Sequence, residues 1–495
     1  MLSYHAKEQP PRMTDQPVSI IVLGASGDLA RKKIFPALFA LYCQKHLPDR
    51  FHIVGFARTE MDQEEFRNKI IENLTCRYSP GESCGQRMEE FLARCEYFSG
   101  EYDSQDSFLS LGQRLSEIEN HRETNRLFYM AIPPFVFLGV SRALKAAGLI
   151  SPPGSNPWSR AVIEKPFGSD RDSSDKLVNE MAEVFAEDQT YRIDHYLGKE
   201  VVQNLMVLRF ANLVFDPIWN RSYIDNIQIT WMEDIGTEGR AGYFDQYGII
   251  RDVMQNHLLQ MMALVAMEPP ISLNAQDVRD EKVKVLRAAP PLELKDLVVA
   301  QYSASNGHEG YLEEKGVPEG SIAPTFAAAV IQVKNRRWDG VPFLIRAGKG
   351  LDRKFAEIRI QFRPVPGNTF CDPGTVLDPN ELVIRVQPDE SVSYRIMNKV
   401  PGLEMDLKET DLNLSYQAAF EKEIPEAYES LILDVLEDDQ SLFIRADELA
   451  AAWDIFTPAL QQLERENVKP ETYPFKSPGP EAANRLAQEY GVKWK

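Results

Sequence analysis

The segment Tyr191-Arg-Ile-Asp-His-Tyr-Leu-Gly-Lys-Glu200 places Asp194, His195, Tyr196 and Lys199 within six residues. His195 and Lys199 are four apart, so on a helix they would share a face and jointly grip a phosphate. A polar helix start is the plainer alternative. A second histidine, His257, lies inside the apolar run Gly248-Ile-Ile-Arg-Asp-Val-Met-Gln-Asn-His-Leu-Leu-Gln-Met-Met262. Such a histidine is more often a satisfied core residue than a catalyst. If it is a general base, it needs a carboxylate to orient it. Asp252 precedes it by five residues, roughly 140° around an α-helix, and would not face it. Asp194 is the better candidate.

Two further charged groups have chemical potential. Ala161-Val-Ile-Glu-Lys-Pro-Phe-Gly168 reads as a buried strand ending in Lys165, and the carboxyl ends of parallel strands are where such sheets bind ligands. A surface-turn lysine fits the position equally well. Glu233 shares the parity of Ile227, Ile229 and Trp231, which puts a carboxylate on an apolar face, where it must be paired or lie in a site. A solvated strand end is the alternative. The seven histidines show no HxxxH or Cys/His ligand spacing, so no metal is expected.

A third element could hold a cofactor. The run Val18-Ser-Ile-Ile-Val-Leu23 is followed by Gly24-Ala25-Ser26-Gly27-Asp28-Leu29-Ala30. A dinucleotide fingerprint uses glycines for a tight turn and for close approach of backbone to pyrophosphate, with a small residue packing helix on strand. The first interval here is one residue wider than usual. Ala30 can serve as the packing position, and Asp28 is expected to cap the helix start. At the end of the next strand, where an NAD protein places Asp or Glu on the ribose, this chain has Gly55-Phe-Ala-Arg58. Arginine is a forked donor suited to a 2′-phosphate and offers no acceptor to a hydroxyl. With Ser26 nearby, NADP is the expected cofactor.

These residues need a frame to hold them. Before about residue 165, short apolar runs (19–23, 52–56, 126–131, 160–164) alternate with amphipathic stretches such as 31–45 and 62–73. That order predicts a parallel sheet covered on both faces. After about residue 220, segments 226–233, 356–363 and 381–387 alternate apolar and polar, the mark of an antiparallel sheet. The expected fold is an α/β Rossmann-type coenzyme domain plus a larger α+β domain with a mostly antiparallel sheet. The expected boundaries are a tail over 1–16, a coenzyme domain over 17–200, and a substrate and dimerisation domain over 201–495. A chain of 495 residues is long enough for two cores. Its formal charge of −19 argues against nucleic acid as a partner, and no apolar run is long enough to span a membrane. Five cysteines without a CxxC pair, and an N-terminus lacking the apolar core of a secretory signal, predict free thiols in the cytoplasm.

Taken together, GASGDLA, GFAR, EKPFG, RIDHYLGKE, GTEGR with GYFDQYGIIRDVMQNHLLQ, and IRAGKGL resemble the glucose-6-phosphate dehydrogenases, over about residues 18–480. The resemblance implies oxidation of β-D-glucose 6-phosphate at C1 by NADP, giving 6-phosphogluconolactone, at the start of the oxidative pentose phosphate pathway. It makes His257 the general base and Asp194 its orienting partner. His195, Tyr196 and Lys199 would hold the sugar phosphate, and Lys165 would reach both substrate and nicotinamide. Glu233 and Asp252 would bind sugar hydroxyls, and Lys349 and Gln387 would close the far side. Lys354 stands next to the sugar site where some relatives carry arginine. The loop 24–30 and Arg58 would take NADP. Relatives with a second, structural NADP use a lysine, a later lysine and a C-terminal arginine where this chain has Phe355, Arg395 and Pro478, so that second NADP is not expected. Phe137 replaces a cofactor-contacting tyrosine of relatives. A homodimer or homotetramer is implied. Two rivals are a sugar dehydrogenase for non-phosphorylated substrates, which would lack the RIDHYLGKE cluster, and a non-catalytic NADP sensor, which would lack the base.

Overall fold

The computed structural model describes residues 16–78, 81, 83–370, 377–420 and 422–495. The strands β1 (Val18–Leu23), β2 (Phe51–Ala57), β3 (Cys95–Ser99), β4 (Asn125–Met130), β5 (Ser159–Ile163) and β6 (Thr190–Arg192) form one sheet in the order β3-β2-β1-β4-β5-β6. Every pairing is parallel. Helices on both faces bury β1 and β5 throughout, which is why those strands read as short, mainly apolar runs rather than as alternation. The strand order reverses between β1 and β4, and that is where a crevice opens at the carboxyl ends of the strands.

Nine further strands form the second sheet: β7 (Ile224–Met232), β8 (Leu297–Ser303), β9 (Phe326–Gln332), β10 (Pro342–Gly348), β11 (Phe355–Phe362), β12 (Glu381–Gln387), β13 (Ser391–Lys399), β14 (Leu407–Ser415) and β15 (Glu471–Pro474). Their order is β14-β13-β12-β11-β7-β10-β9-β8-β15. The pairings are antiparallel except β7–β10 and β8–β15. The sheet is thus mostly antiparallel, as its alternating segments predict.

The chain does not leave the first sheet behind at residue 200. Helix Ala427–Glu437 packs on helix Phe35–Cys43, and helix Ala446–Arg465 packs on helix Arg171–Ala182. Arg160 of β5 fixes the first of these late helices. Its guanidinium donates to the carbonyls of Val435 (2.7 Å) and Leu436 (3.1 Å), satisfying the end of the helix. Residues far apart in sequence thereby reach the first sheet's crevice.

One expectation changes here. Cys76 and Cys84 are joined in a disulfide, their Cα atoms 5.9 Å apart, so they are not free thiols. Whether two cysteines eight apart meet depends on the intervening turn, which spacing alone does not specify. Cys95 is buried, and burial pushes its thiol well above the ordinary range. Cys371 and, apart from Gln16, the expected tail lie outside the described residues.

Candidate active site

The loop after β1 is shaped by its glycines. Gly24 has φ +89°, and a Cβ there would lie 2.1 Å from the carbonyl oxygen of Ala131. No other residue fits without moving β4. The amides of Gly24 and Ala25 both donate to the carbonyl of Phe56, at 2.8 and 3.3 Å, and so bend the chain over the end of β2. Gly27 donates to Gly24 at 2.9 Å and closes the turn. Ala30, fully buried, packs the following helix on the sheet. First-turn amides of a helix lack intrahelical partners, so this loop presents donors and the positive helix end to an anion. Asp28 does not cap them. Its carboxylate pairs instead with Arg31 (2.6 Å) and Lys32 (3.1 Å), which hold it below the ordinary carboxylate range. Two nearby cations outcompete the backbone amides for it.

Arg58 follows β2 directly and is exposed beside this loop, its guanidinium over the Tyr102 ring at 5.5 Å. The Thr59 hydroxyl donates to Ser26 Oγ at 3.1 Å. The arginine and the serine of the cofactor reading therefore stand on one corner. Phe137 is fully buried in helix Phe137–Ala146 and contributes to the core.

At the other end of the crevice, Asp194 leaves β6 and receives Nδ1 of His257 at 2.5 Å. Both side chains are almost completely buried, at 1% and 3% exposure, so water does not compete for this bond. The same oxygen, Oδ1, accepts the Tyr196 amide at 2.9 Å, while Oδ2 is buried without a partner among the described residues. Tyr196 stacks on His257 at 4.5 Å, and its hydroxyl accepts from Trp231 Nε1 at 2.6 Å. Burial lowers the pKa of His257, with Lys165 adding to the effect and Asp194 opposing it. Burial also disfavours charge on Asp194, yet its bond to His257 holds the carboxyl at about 2. The arrangement is a neutral imidazole with an ionised partner behind it.

His195 and Lys199 do not lie on a helix. Residues 195–198 form a turn, and the helix Glu200–Phe210 begins only after Lys199. They still meet in the cleft. The His195 ring lies 4.6 Å from that of His257, and Lys199 Nζ lies 5.2 Å from the centre of the Tyr196 ring. Gly198 makes this possible, since a Cβ there would lie 2.5 Å from the Ala427 carbonyl oxygen. Burial lowers the pKa of both His195 and Lys199, and a bound dianion would favour the charged form of each.

The helix bearing His257 is a π-helix over Ile250–Leu258. Its i→i+5 hydrogen bonds bring residues five apart into register, so Asp252 and His257 share a face, contrary to the α-helical expectation. Asp252 pairs with Lys165, whose Nζ donates to Oδ1 at 3.0 Å and to the backbone carbonyl at 2.7 Å. Burial works against its charge, but Lys165 keeps the Asp252 carboxyl at about 2. Lys349 pairs with Glu233 at 2.6 Å, just beyond the end of β7, and lies near the Trp231 ring. Lys354 is exposed ahead of β11, and Gln387 ends β12 beside Ala356. Among the described residues neither hydrogen-bonds to these pairs.

The sequence reading missed Glu164 and Tyr428. Glu164 accepts from Tyr129 at 2.7 Å, and burial raises its carboxyl to about 7. Tyr428, from the late helix, stacks against His195 at 6.0 Å. A strand buried on both faces shows no alternation to mark an inward carboxylate, and Tyr428 sits in no motif. Asp194, His195 and His257 also have ligand atoms within 4.8 Å of one another, a cluster able to hold a metal ion and invisible as sequence spacing.

Comparisons with known proteins agree with this architecture. Residues 21–204 match the family described as glucose-6-phosphate dehydrogenase, NAD binding domain, and residues 206–495 match its C-terminal domain. The chloroplastic glucose-6-phosphate 1-dehydrogenase of Spinacia oleracea is 54% identical over 495 residues, covering 99% of this chain and 84% of that protein. The glucose-6-phosphate 1-dehydrogenase of Dictyostelium discoideum is 48% identical, covering 96% and 94%. A solved glucose-6-phosphate dehydrogenase in complex with glucose 6-phosphate superposes with a TM-score of 0.90 at 41% identity, covering 98% of this chain and 100% of that one. The relatives at 54% identity, from Spinacia oleracea, Arabidopsis thaliana, Solanum tuberosum and Nicotiana tabacum, are chloroplastic. That kinship overturns the cytoplasmic expectation, which rested in part on thiols that prove to be bonded.

Proposed function

The chain belongs to the glucose-6-phosphate dehydrogenase family, and from that premise we propose how its residues carry out the reaction. It oxidises β-D-glucose 6-phosphate at C1 to 6-phospho-D-glucono-1,5-lactone, with hydride transfer to NADP. The observation that carries the mechanism is the buried bond between His257 Nδ1 and Asp194 Oδ1. An Nδ1–H donated to Asp194 leaves Nε2 with its lone pair, ready to take the C1-hydroxyl proton. As the imidazole gains that proton, the Asp194 carboxylate stabilises the cation without itself moving. NADP supplies the hydride acceptor.

Positioning does the rest. His195, Tyr196 and Lys199 hold the sugar phosphate, which is the local basic cluster that a chain of charge −19 requires. Lys165 reaches between substrate and nicotinamide. Asp252 and Glu233 accept sugar hydroxyls, and their ion pairs with Lys165 and Lys349 preset all four charges before substrate arrives. Lys349, Lys354 and Gln387 close the far side. The loop Gly24-Ala25-Ser26-Gly27-Asp28-Leu29-Ala30 holds the pyrophosphate, and Arg58 with Ser26 takes the 2′-phosphate. The cradle at Gly24, too tight for any Cβ, fits a backbone that approaches phosphate closely.

Residues 17–200 form the coenzyme domain and residues 201–495 the substrate and dimerisation domain. A second, structural NADP is not part of this reading. Arg359, Arg385 and Arg395 are engaged by Glu357, Glu381 and Asp411, and Arg346 lies over Trp494. Self-association as a homodimer or homotetramer is supported by the exposed Leu412, Leu414 and Phe420 on and beside β14. The kinship supports a plastid location. The deciding assay is NADPH formation with glucose 6-phosphate, with glucose and with no sugar, repeated with NAD. Equal rates on glucose and glucose 6-phosphate would remove the phosphate-binding role of the 195–199 cluster.

A further inference from the structure

We infer that Tyr102 is a positioning residue for the Arg58 guanidinium and, through it, part of what selects a dinucleotide bearing a 2′-phosphate. The inference rests on the reading above that Arg58 takes that phosphate. The guanidinium carbon lies 5.5 Å from the centre of the Tyr102 ring, within the roughly 6 Å over which a cation–π contact acts. Among the described residues, Arg58 makes no ion pair or side-chain hydrogen bond, and it is exposed. The ring face therefore fixes the plane of an otherwise free fork.

The ring is itself held. Tyr102 is 9% exposed and packs against Phe56 at 5.9 Å. β3 ends at Ser99, and Gly100 lies directly on Phe56, where a Cβ would come within 2.8 Å of the ring. The Gly100 amide donates to the Ala57 carbonyl at 3.0 Å. The chain consequently turns tightly over Phe56 and delivers Tyr102 beside the residue that follows β2. From the other side, the Tyr97 hydroxyl donates to the Thr59 carbonyl at 2.5 Å, and Thr59 reaches Ser26. The corner thus offers two hydroxyls and one oriented, forked cation.

An unrestrained arginine loses rotamer freedom when it grips an anion, and preorganisation removes part of that loss. A ribose hydroxyl gains nothing from a guanidinium, so only a 2′-phosphorylated ligand registers the state of Tyr102. At an exposed site the cation–π contact corresponds to roughly a two- to fivefold change in affinity.

The test compares Tyr102→Leu and Tyr102→Phe with the unaltered enzyme and with Arg58→Ala. It reads KM for NADP, kcat, KM for glucose 6-phosphate, and inhibition by adenosine 2′,5′-bisphosphate and by ADP. Expected for Tyr102→Leu is about a two- to fivefold rise in KM for NADP, matched by weaker inhibition by the bisphosphate. Inhibition by ADP, kcat and KM for the sugar should not change. Tyr102→Phe keeps the ring face and should behave as the unaltered enzyme. In the Arg58→Ala background, Tyr102→Leu should add nothing. Should Tyr102→Leu fail to fold, Tyr102→Met serves in its place. Equal weakening of bisphosphate and ADP would mean that Tyr102 merely supports the adenine side of the fold, and would overturn the inference. No change in NADP affinity while Arg58→Ala weakens it would also overturn it. If Arg58→Ala itself leaves NADP affinity intact, the failure lies with the cofactor reading instead.

Discussion

Replacing Asp194 with asparagine tests the proposed dyad at its centre, and the structure sets how large the effect should be. In a serine-protease triad, the corresponding Asp→Asn change lowers kcat by about 10⁴, because the amide stabilises the wrong histidine tautomer. Here the outcome should be milder. Asp194 Oδ1 accepts from both the Tyr196 amide and His257 Nδ1–H, whereas Oδ2 has no hydrogen-bond partner among the described residues. The Tyr196 N–H therefore pins the asparagine carbonyl at the Oδ1 position and turns its NH₂ toward the unpartnered side. His257 keeps its Nδ1–H donor and its basic Nε2. What is lost is the negative charge facing an imidazole that becomes cationic in the transition state. A hydrogen bond to a charged group is worth about 1.5–3 kcal/mol, which is roughly a 10- to 150-fold loss of kcat. The burial of the pair favours the upper part of that range. The assay is initial-rate NADPH absorbance at saturating NADP across glucose 6-phosphate concentrations, with a thermal melt to verify folding. KM for the sugar should change little, because Asp194 is not placed against it. A kcat close to that of the unaltered enzyme would refute the electrostatic role of Asp194. A loss near 10⁴ with an intact fold would refute the pinning argument and show that the amide flips.

His257→Asn should lower kcat by about 10²–10⁴, the usual share of a general base, with KM for glucose 6-phosphate little changed; substantial remaining turnover in steady-state assays would remove His257 from the chemistry. Arg58→Asp should raise KM for NADP roughly tenfold or more through loss of a charge-assisted bond, while KM for NAD stays level or falls, as parallel titrations of the two cofactors would show. In a pH series, log kcat/KM should stay flat down to about 6.5, the ordinary histidine value, and decline only below it, because burial holds His257 beneath that value. The histidines' own share of stability has the same sign over that window. His195 and His257 are both depressed in the fold, so at these two groups the unfolded chain binds more protons as pH falls below about 6.5. Glu164 and Asp434, raised to about 7 and about 8, act in the opposite sense, so the check is a difference: the gap in thermal midpoint between the unaltered enzyme and His257→Asn should narrow below that pH.

The amino-acid sequence determined much of this protein through local physics. Short, mainly apolar runs at 19–23 and 160–164 marked strands of a sheet covered on both faces, and the alternation at 356–363 marked the other sheet. The glycines 24 and 27 after an apolar run, an arginine after the second run and a dense polar cluster at 194–199 pointed to cofactor, its phosphate and the sugar phosphate. What the sequence left open depended on geometry that residue spacing does not encode. Whether Asp252 faces His257 turned on a π-helix, since changing the hydrogen-bond period from four to five moves the carboxylate onto the histidine's face. Whether Asp28 capped its helix turned on Arg31 and Lys32, which hold its carboxylate by direct ion pairing. Whether Cys76 meets Cys84 turned on the path of one loop. Tyr428 reaches His195 only because the late helix returns to the first sheet, anchored by Arg160 more than 250 residues earlier in the chain. Local pattern is legible because it follows from the preferences of neighbouring residues; the dyad, its stacked rings and the corner at Arg58 exist only because folding removes water from groups that are distant in sequence.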